Sequence, residues 1–204
     1  MLEAHNLAAR RGHARLFEGL SFAVAPGYAL IVTGANGTGK TTLLRMLCGL
    51  SVPAAGEIHW DGKRVAPFDY GLRASLAFAG HAPALKDELT TEENLSALVT
   101  LAGETASRDA IRGALDAVAL GSRRTLPARV LSQGQRRRVG LARLALVRRK
   151  LWVLDEPATA LDAEGMALLA DMLVAHLDRG GLAVAATHSP LGLPSARTHP
   201  ITLA

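Results

Sequence analysis

The octapeptide Gly34-Ala35-Asn36-Gly37-Thr38-Gly39-Lys40-Thr41 constrains this chain more than any other stretch of it. It has the form G-x-x-x-x-G-K-T. The apolar run Tyr28–Thr33 (YALIVT) precedes it and reads as a strand buried on both faces. Residues 41–50 follow and read as a helix. Strand, glycine-rich turn and helix form the context in which this pattern wraps phosphates. The glycines let backbone N–H groups turn inward, and the helix N-terminus adds partial positive charge. In that setting Lys40 reaches the β- and γ-phosphates of a nucleotide. The Thr41 hydroxyl ligates Mg2+, and Thr42 adds a phosphate contact.

A magnesium ion held this way needs a second protein anchor. Leu151-Trp152-Val153-Leu154-Asp155-Glu156 supplies an acidic pair at the end of a buried strand, where ligands bind in open α/β sheets. Asp155 is placed to hold Mg2+ through its water shell. Glu156 projects toward the γ-phosphate, where it can polarise an attacking water.

The rest of the chain frames this pair of motifs. Leu20–Val24, Glu57–Trp60, Leu76–Ala79 and residues 182–187 read as further strands, with a turn at Pro26-Gly27 and a hairpin signal at Asp61-Gly62. Thr90-x-x-Glu93 is a capping box ahead of Leu95, Leu98 and Val99 at helical spacing. Residues 107–119 repeat the helical pattern, with Gly121 as the stop, so residues near 83–130 read as a helical insert in an α/β framework. A long helix follows Gly134, and another spans residues 163–179 and closes at Gly180-Gly181. Hydrophobic residues make up 49% of the 204 and aromatics only 4%, so Ala, Leu and Val must fill the core. The net charge of +5 is scattered arginine, with no basic tail and little aromatic interleaving, which speaks against nucleic acid. The run Arg136-Arg137-Arg138 reads as a solvated helix face with at most one residue turned to a partner. The single cysteine, Cys48, excludes an internal disulfide and sits in an apolar helical run. The N-terminal MLEAHNLAARRG has no apolar signal core, and no run reaches the roughly 18 apolar residues of a membrane span. Work at a membrane would therefore mean docking on another protein.

In order, GANGTGKT, Leu131-Ser132-Gln133-Gly134-Gln135 (LSQGQ), LWVLDEP, Ala160-Leu161-Asp162 and His188 in ATHS make the chain resemble the nucleotide-binding subunits of ABC transporters along almost its whole length. The resemblance implies an α/β fold of the P-loop NTPase type: a mixed core sheet, an N-terminal antiparallel part and an inserted helical subdomain. It implies a single ATPase domain, with a RecA-like core at about 1–82 and 131–204 and the helical subdomain at about 83–130. It also implies a head-to-tail dimer sandwiching two ATP molecules, in which Ser132 and Gly134 touch the γ-phosphate held by the other chain. Glu156 would be the catalytic base, His188 the γ-phosphate contact in the transition state, and Asp162 a residue communicating across the dimer.

Two positions depart from the family pattern. The adenine-stacking aromatic is replaced by Arg11, whose planar guanidinium can stack instead. The glutamine that touches Mg2+ and the lytic water is replaced by His81, whose imidazole can accept from metal-bound water. Gly80-His81 with Pro83, Leu85-Lys86, Glu88-Leu89-Thr90 and Glu93-Asn94-Leu95 looks like the haem exporter ATP-binding subfamily of cytochrome c maturation, CcmA. That likeness implies a CcmB-type membrane permease and other Ccm subunits as partners. It places the chain peripherally on the cytoplasmic face of a bacterial inner membrane, where hydrolysis supports haem delivery to a periplasmic haem chaperone. The alternatives are the ATPase of another small-substrate exporter, a soluble non-transport ABC ATPase, or a P-loop kinase. The 115 positions from Lys40 to Asp155 (155 − 40) carry no heptads of the DNA-repair type, and LSQGQ with ATHS argues against a kinase. Nothing in the sequence reads as a haem site.

Overall fold

The computed structural model describes residues 1–204. The chain opens with two long antiparallel strands, β1 (Leu2–Arg11) and β2 (Ala14–Val24), joined by a tight turn at Gly12-His13. β1 breaks its own alternation. Asn6 takes a left-handed conformation (φ 50), its N–H donates to Ser21 Oγ at 2.8 Å, and the register to β2 shifts between Ala4 and Leu7. Such a bulge flips the faces that a period-two pattern relies on. β3 (Ala29–Gly34) leads through the glycine-rich loop into α1 (Lys40–Leu47), which stops two residues before the left-handed Gly49 (φ 69). β4 (Ala55–Trp60) and the short β5 (Lys63–Arg64) form a hairpin. α2 (Tyr70–Ser75), capped by Asp69, precedes β6 (Leu76–Ala79).

The middle of the chain is helical. α3 (Thr91–Leu101) starts at the expected capping box, with both reciprocal Thr90–Glu93 bonds formed. α4 (Arg108–Ala117) ends earlier than Gly121 suggested. Ala119 takes the left-handed turn (φ 56), and Gly121 follows it at the start of a short 3-10 turn, with Asp116 Oδ1 close against its Cα. The chain then runs α5 (Gln133–Leu146), β7 (Leu151–Asp155), α6 (Ala163–Asp178), β8 (Leu182–Ala186) and β9 (Thr198–Leu203).

The strands form two sheets. One is antiparallel, in the order β2-β1-β4-β5. The other has the order β6-β7-β8-β3-β9, and all its pairings are parallel. The core sheet is therefore not itself mixed: the antiparallel strands make a separate layer. α1 lies between the layers, and Leu43, Leu44 and Leu47 join residues of both sheets in one buried cluster. α5 and α6 cover the other face of the parallel sheet through Leu141, Leu144, Leu169 and Leu173. A third cluster packs α3 and α4 on a different side of α5 through Leu95, Ile111, Leu115, Val139 and Ala142. β7 and β8 are buried at every residue, as their continuous apolar sequences require of central parallel strands. Their carboxyl ends and that of β3 open on one rim, and the polar motifs collect there.

Candidate active site

The loop after β3 is built for a tightly folded anion cradle. Gly34 (φ 139) abuts β9 so closely that a Cβ would lie 2.3 Å from the Leu203 carbonyl oxygen, so no side chain fits. Thr38 N–H bonds to Ala35 O, and Leu43 N–H bonds to Gly39 O. Around these two bonds, the N–H groups of Gly37, Gly39, Lys40, Thr41 and Thr42 have no acceptor within the protein. Five donors converging at a helix N-terminus are what a phosphate satisfies. The buried Lys40 donates from Nζ to the carbonyls of Gly34 (2.6 Å) and Ala35 (3.0 Å), so its ammonium is held inside the loop.

Thr41 Oγ1 donates to Asp155 Oδ2 at 3.0 Å, which joins the start of α1 to the end of β7. Two hard oxygen ligands next to a phosphate cradle fit magnesium, which takes one or two protein side chains and completes its shell with phosphate and water. Glu156 follows in a left-handed conformation (φ 48), its N–H bonded to Ala186 O at 2.8 Å. Its Oε1 lies 3.5 Å from Nε2 of His188, which is half exposed just beyond β8. Arg11 at the end of β1 and the exposed His81 beyond β6 line the same open cleft as Asn36, Gly37, Gly39, Lys40, Thr41, Thr42, Asp155 and Glu156. No apolar side chain lines it. The two positions where the sequence departs from the family pattern thus face the phosphate loop.

Ser132 and Gly134 lie elsewhere. Ser132 is the N-cap of α5 and forms a capping box with Gln135, each accepting from the other's backbone N–H (3.2 and 3.0 Å). Gly134 presses on the loop after β7, where a Cβ would lie 2.6 Å from the Ala160 carbonyl oxygen. Asp162 caps α6 by accepting from Gly165 N–H at 2.9 Å. That bond, and then Arg138, hold its carboxyl below the ordinary range. Ser132, Gly134, Ala160 and Asp162 line a second cleft that shares no residue with the first. Within one chain, the Ser132 turn does not meet the phosphate loop.

The arginine run is not a solvated face. Arg137 and Arg138 are 5% and 6% exposed, and only Arg136 keeps partial exposure, paired with Asp87 at 2.6 Å. Arg138 reaches Asp162 and Glu164 on α6. α5 is covered on two sides, by the parallel sheet and by the helical cluster, so its arginines replace water with carboxylates and carbonyls. The signal available in the sequence was their spacing: both lie three or four residues from Gly134 and from the buried Leu141.

The family model described as ABC transporter matches residues 17–159. This chain belongs to the ABC transporter family. It is 48% identical over 203 residues to the cytochrome c biogenesis ATP-binding export protein CcmA of Dechloromonas aromatica, with 100% of each chain covered. It is 52% identical over 197 residues to the CcmA protein of Aromatoleum aromaticum, covering 95% of this chain and 92% of that one. Its fold superposes on an ABC transporter ATP-binding protein from Pyrococcus furiosus with a TM-score of 0.84 and 25% identity, covering 99% and 96% of the two chains. A dimeric ATP-binding cassette solved with ADP and Pi has the same fold (TM-score 0.77, 22% identity, 93% and 88% covered). The chain is an ABC ATPase, similar along its length to relatives named ATP-binding export proteins. No helix of this ABC ATPase is long and apolar enough to cross a membrane.

Proposed function

We propose that this ABC ATPase is the motor subunit of a cytochrome c biogenesis exporter. It works as a head-to-tail homodimer beneath a CcmB-type permease and other Ccm subunits. Its place is peripheral, at the cytoplasmic face of a bacterial inner membrane, and its hydrolysis supports haem export and delivery to a periplasmic haem chaperone. The observation that carries the dimer is the separation of the two clefts: one has the phosphate cradle and the carboxylates, and the other has the Ser132 turn. Placing the Ser132 cleft of one copy over the phosphate cleft of another completes both sites. The haem role is supported by the full-length similarity to relatives named CcmA.

In this reading the five free N–H groups and Lys40 bind the β- and γ-phosphates of ATP. Thr41 and Asp155 would hold Mg2+, and His81, which lines the same cleft, would accept from water bound to it. When bound, that ion offsets the charge on the phosphate oxygens. The Glu156 carboxylate accepts a proton from the water that attacks the γ-phosphorus, while the bond to the β–γ bridging oxygen breaks and ADP leaves. His188 donates to the γ-phosphate oxygens as their charge redistributes. Arg11 stacks on adenine. Ser132 and Gly134 of the second chain close over the γ-phosphate, and Asp162 reports closure across the interface. The helical subdomain, about residues 83–130, carries that closure to the permease by moving against the core at about 1–82 and 131–204.

Replacing Glu156 by Gln tests the chemistry: ATP binding should persist and steady-state phosphate release should stop. Co-purification tests the cargo. Recovery of a permease with cytochrome c maturation subunits supports the haem role, and recovery of an unrelated permease removes it while leaving the ATPase assignment standing.

A further inference from the structure

The guanidinium of Arg137 spends every donor it has on main-chain carbonyls. Nε donates to Pro157 O at 3.2 Å. One terminal nitrogen, Nη1, donates to Gly80 O at 2.6 Å and His81 O at 2.9 Å. The other, Nη2, donates to Asp155 O at 2.8 Å and to Glu156 O. Five N–H groups thus meet five carbonyls, and no carboxylate pairs with the charge. These carbonyls belong to two segments that are distant in sequence. One carries His81, and the other carries Asp155 and Glu156, and all three side chains face the phosphate cleft.

Packing alone does not call for a buried cation here. An apolar side chain of that size would leave four of the five carbonyls without partners, Glu156 O alone keeping Thr159 N–H at 3.2 Å, but it would also spare the cost of burying charge. What the fork supplies is geometry. Glu156 holds a left-handed backbone that side-chain-bearing residues keep only where the surroundings over-determine it. Its N–H is tied to Ala186 O, and its C=O is tied to Arg137. Arg137 is also three residues beyond Gly134 on the first turns of α5, the helix whose N-cap is Ser132.

We propose that Arg137 is the positioning residue for hydrolysis, a fork that ties the start of α5 to the backbones of Glu156 and His81. A shift of Ser132 and Gly134 against a second copy's γ-phosphate then changes the aim of both side chains. This rests on the assignment of Glu156 as base. Lysine cannot replace the fork, because its three donors radiate from one nitrogen and cannot span five carbonyls in two loops. The inference therefore separates positioning from mere charge, which lysine would restore.

The test uses the full chain with Arg137→Lys and, separately, Arg137→Gln, at saturating Mg-ATP. We expect kcat to fall by about tenfold or more in both, with KM and the ATP dissociation constant within about threefold of wild type. Amide exchange should rise at residues 80–83 and 156–160 and stay unchanged in the phosphate loop. Wild-type kcat in Arg137→Lys overturns the proposal. So does a loss of ATP affinity and melting temperature with kcat per folded molecule unchanged. Failure of both variants to fold makes Arg137 a folding residue and equally ends the proposal. Glu156→Gln is run beside them. Turnover there removes the base assignment whatever the arginine variants do, whereas a dead Glu156→Gln with a fully active Arg137→Lys removes only Arg137.

Discussion

Glycine at position 156 should make the protein more stable and inactive at once. The left-handed conformation at Glu156 (φ 48) costs a residue with a Cβ about 1–2 kcal/mol. Glycine avoids that strain but gains freedom in the unfolded chain, which returns roughly 0.4–1 kcal/mol. The Glu156 side chain gives up little when removed, since its one ion-pair contact is with the half-exposed imidazole of His188 at 3.5 Å, which carries charge only when protonated. Glutamine is the proper reference because it keeps the Cβ, the strain and nearly the volume. Glu156→Gly should then exceed Glu156→Gln by about 0.5–1 kcal/mol. With an unfolding entropy of about 2.1 cal/mol/K per residue, this becomes a melting temperature higher by about 1–3 °C. Scanning calorimetry of both variants without nucleotide reads the difference, and a phosphate-release assay should find both inactive. A Glu156→Gly protein that melts below Glu156→Gln would refute the claim that the carboxylate is held there at the expense of stability.

Three further outcomes follow from other parts of the site and core. Ser132→Arg should abolish hydrolysis while isolated monomers keep their ATP affinity in equilibrium binding; weaker monomer binding would contradict a role in the second chain's site. His81→Gln should retain ATPase activity close to wild type, and a collapse of folding would give His81 a structural role instead. His176 is stacked on Trp152 at a 3.9 Å centroid separation, with Nε2 3.1 Å from Leu182 O. Burial pushes its imidazole below the ordinary 6.5, the Leu182 bond opposes this, and the charge of Arg179 adds to it. The unfolded chain therefore takes up the proton first, so this contribution to stability is full above about pH 6.5 and is lost as pH falls through the folded value. His176→Phe should remove that acid-side loss from melting curves taken against pH, and an unchanged slope would put its origin elsewhere.

The parts of this fold that the sequence announced are those whose signals are local. The apolar run before Gly34, the Thr90–Glu93 capping box and the buried run before Asp155 each sit within a few residues of the structure they specify. β1 was hidden because the bulge at Asn6 breaks the alternation that marks a strand. β9 was hidden by Pro200, which a parallel sheet tolerates because β9 is its edge strand. Within the site, Asn36, Gly37, Gly39, Lys40, Thr41 and Thr42 of the glycine-rich loop line one cleft with the acidic pair, His81 and Arg11. Arg137 was misread because its partners lie 18 to 57 positions away and are backbone carbonyls, which leave no trace in residue identity. The parallel core sheet was equally a matter of long-range pairing, since β3 takes its neighbours from β8 and β9 near the end of the chain.

The proposed sharing of one site between two chains makes mass the decisive observable. Light scattering on Glu156→Gln, which should bind ATP without consuming it, is expected to show a doubling from one chain to two when Mg-ATP is added. Adding Ser132→Arg to the same protein should return the mass to that of a single chain with ATP still bound. A Glu156→Gln chain that saturates with ATP and stays monomeric, or a double variant that still dimerises, would contradict a composite site built from the phosphate loop of one copy and the Ser132 turn of the other.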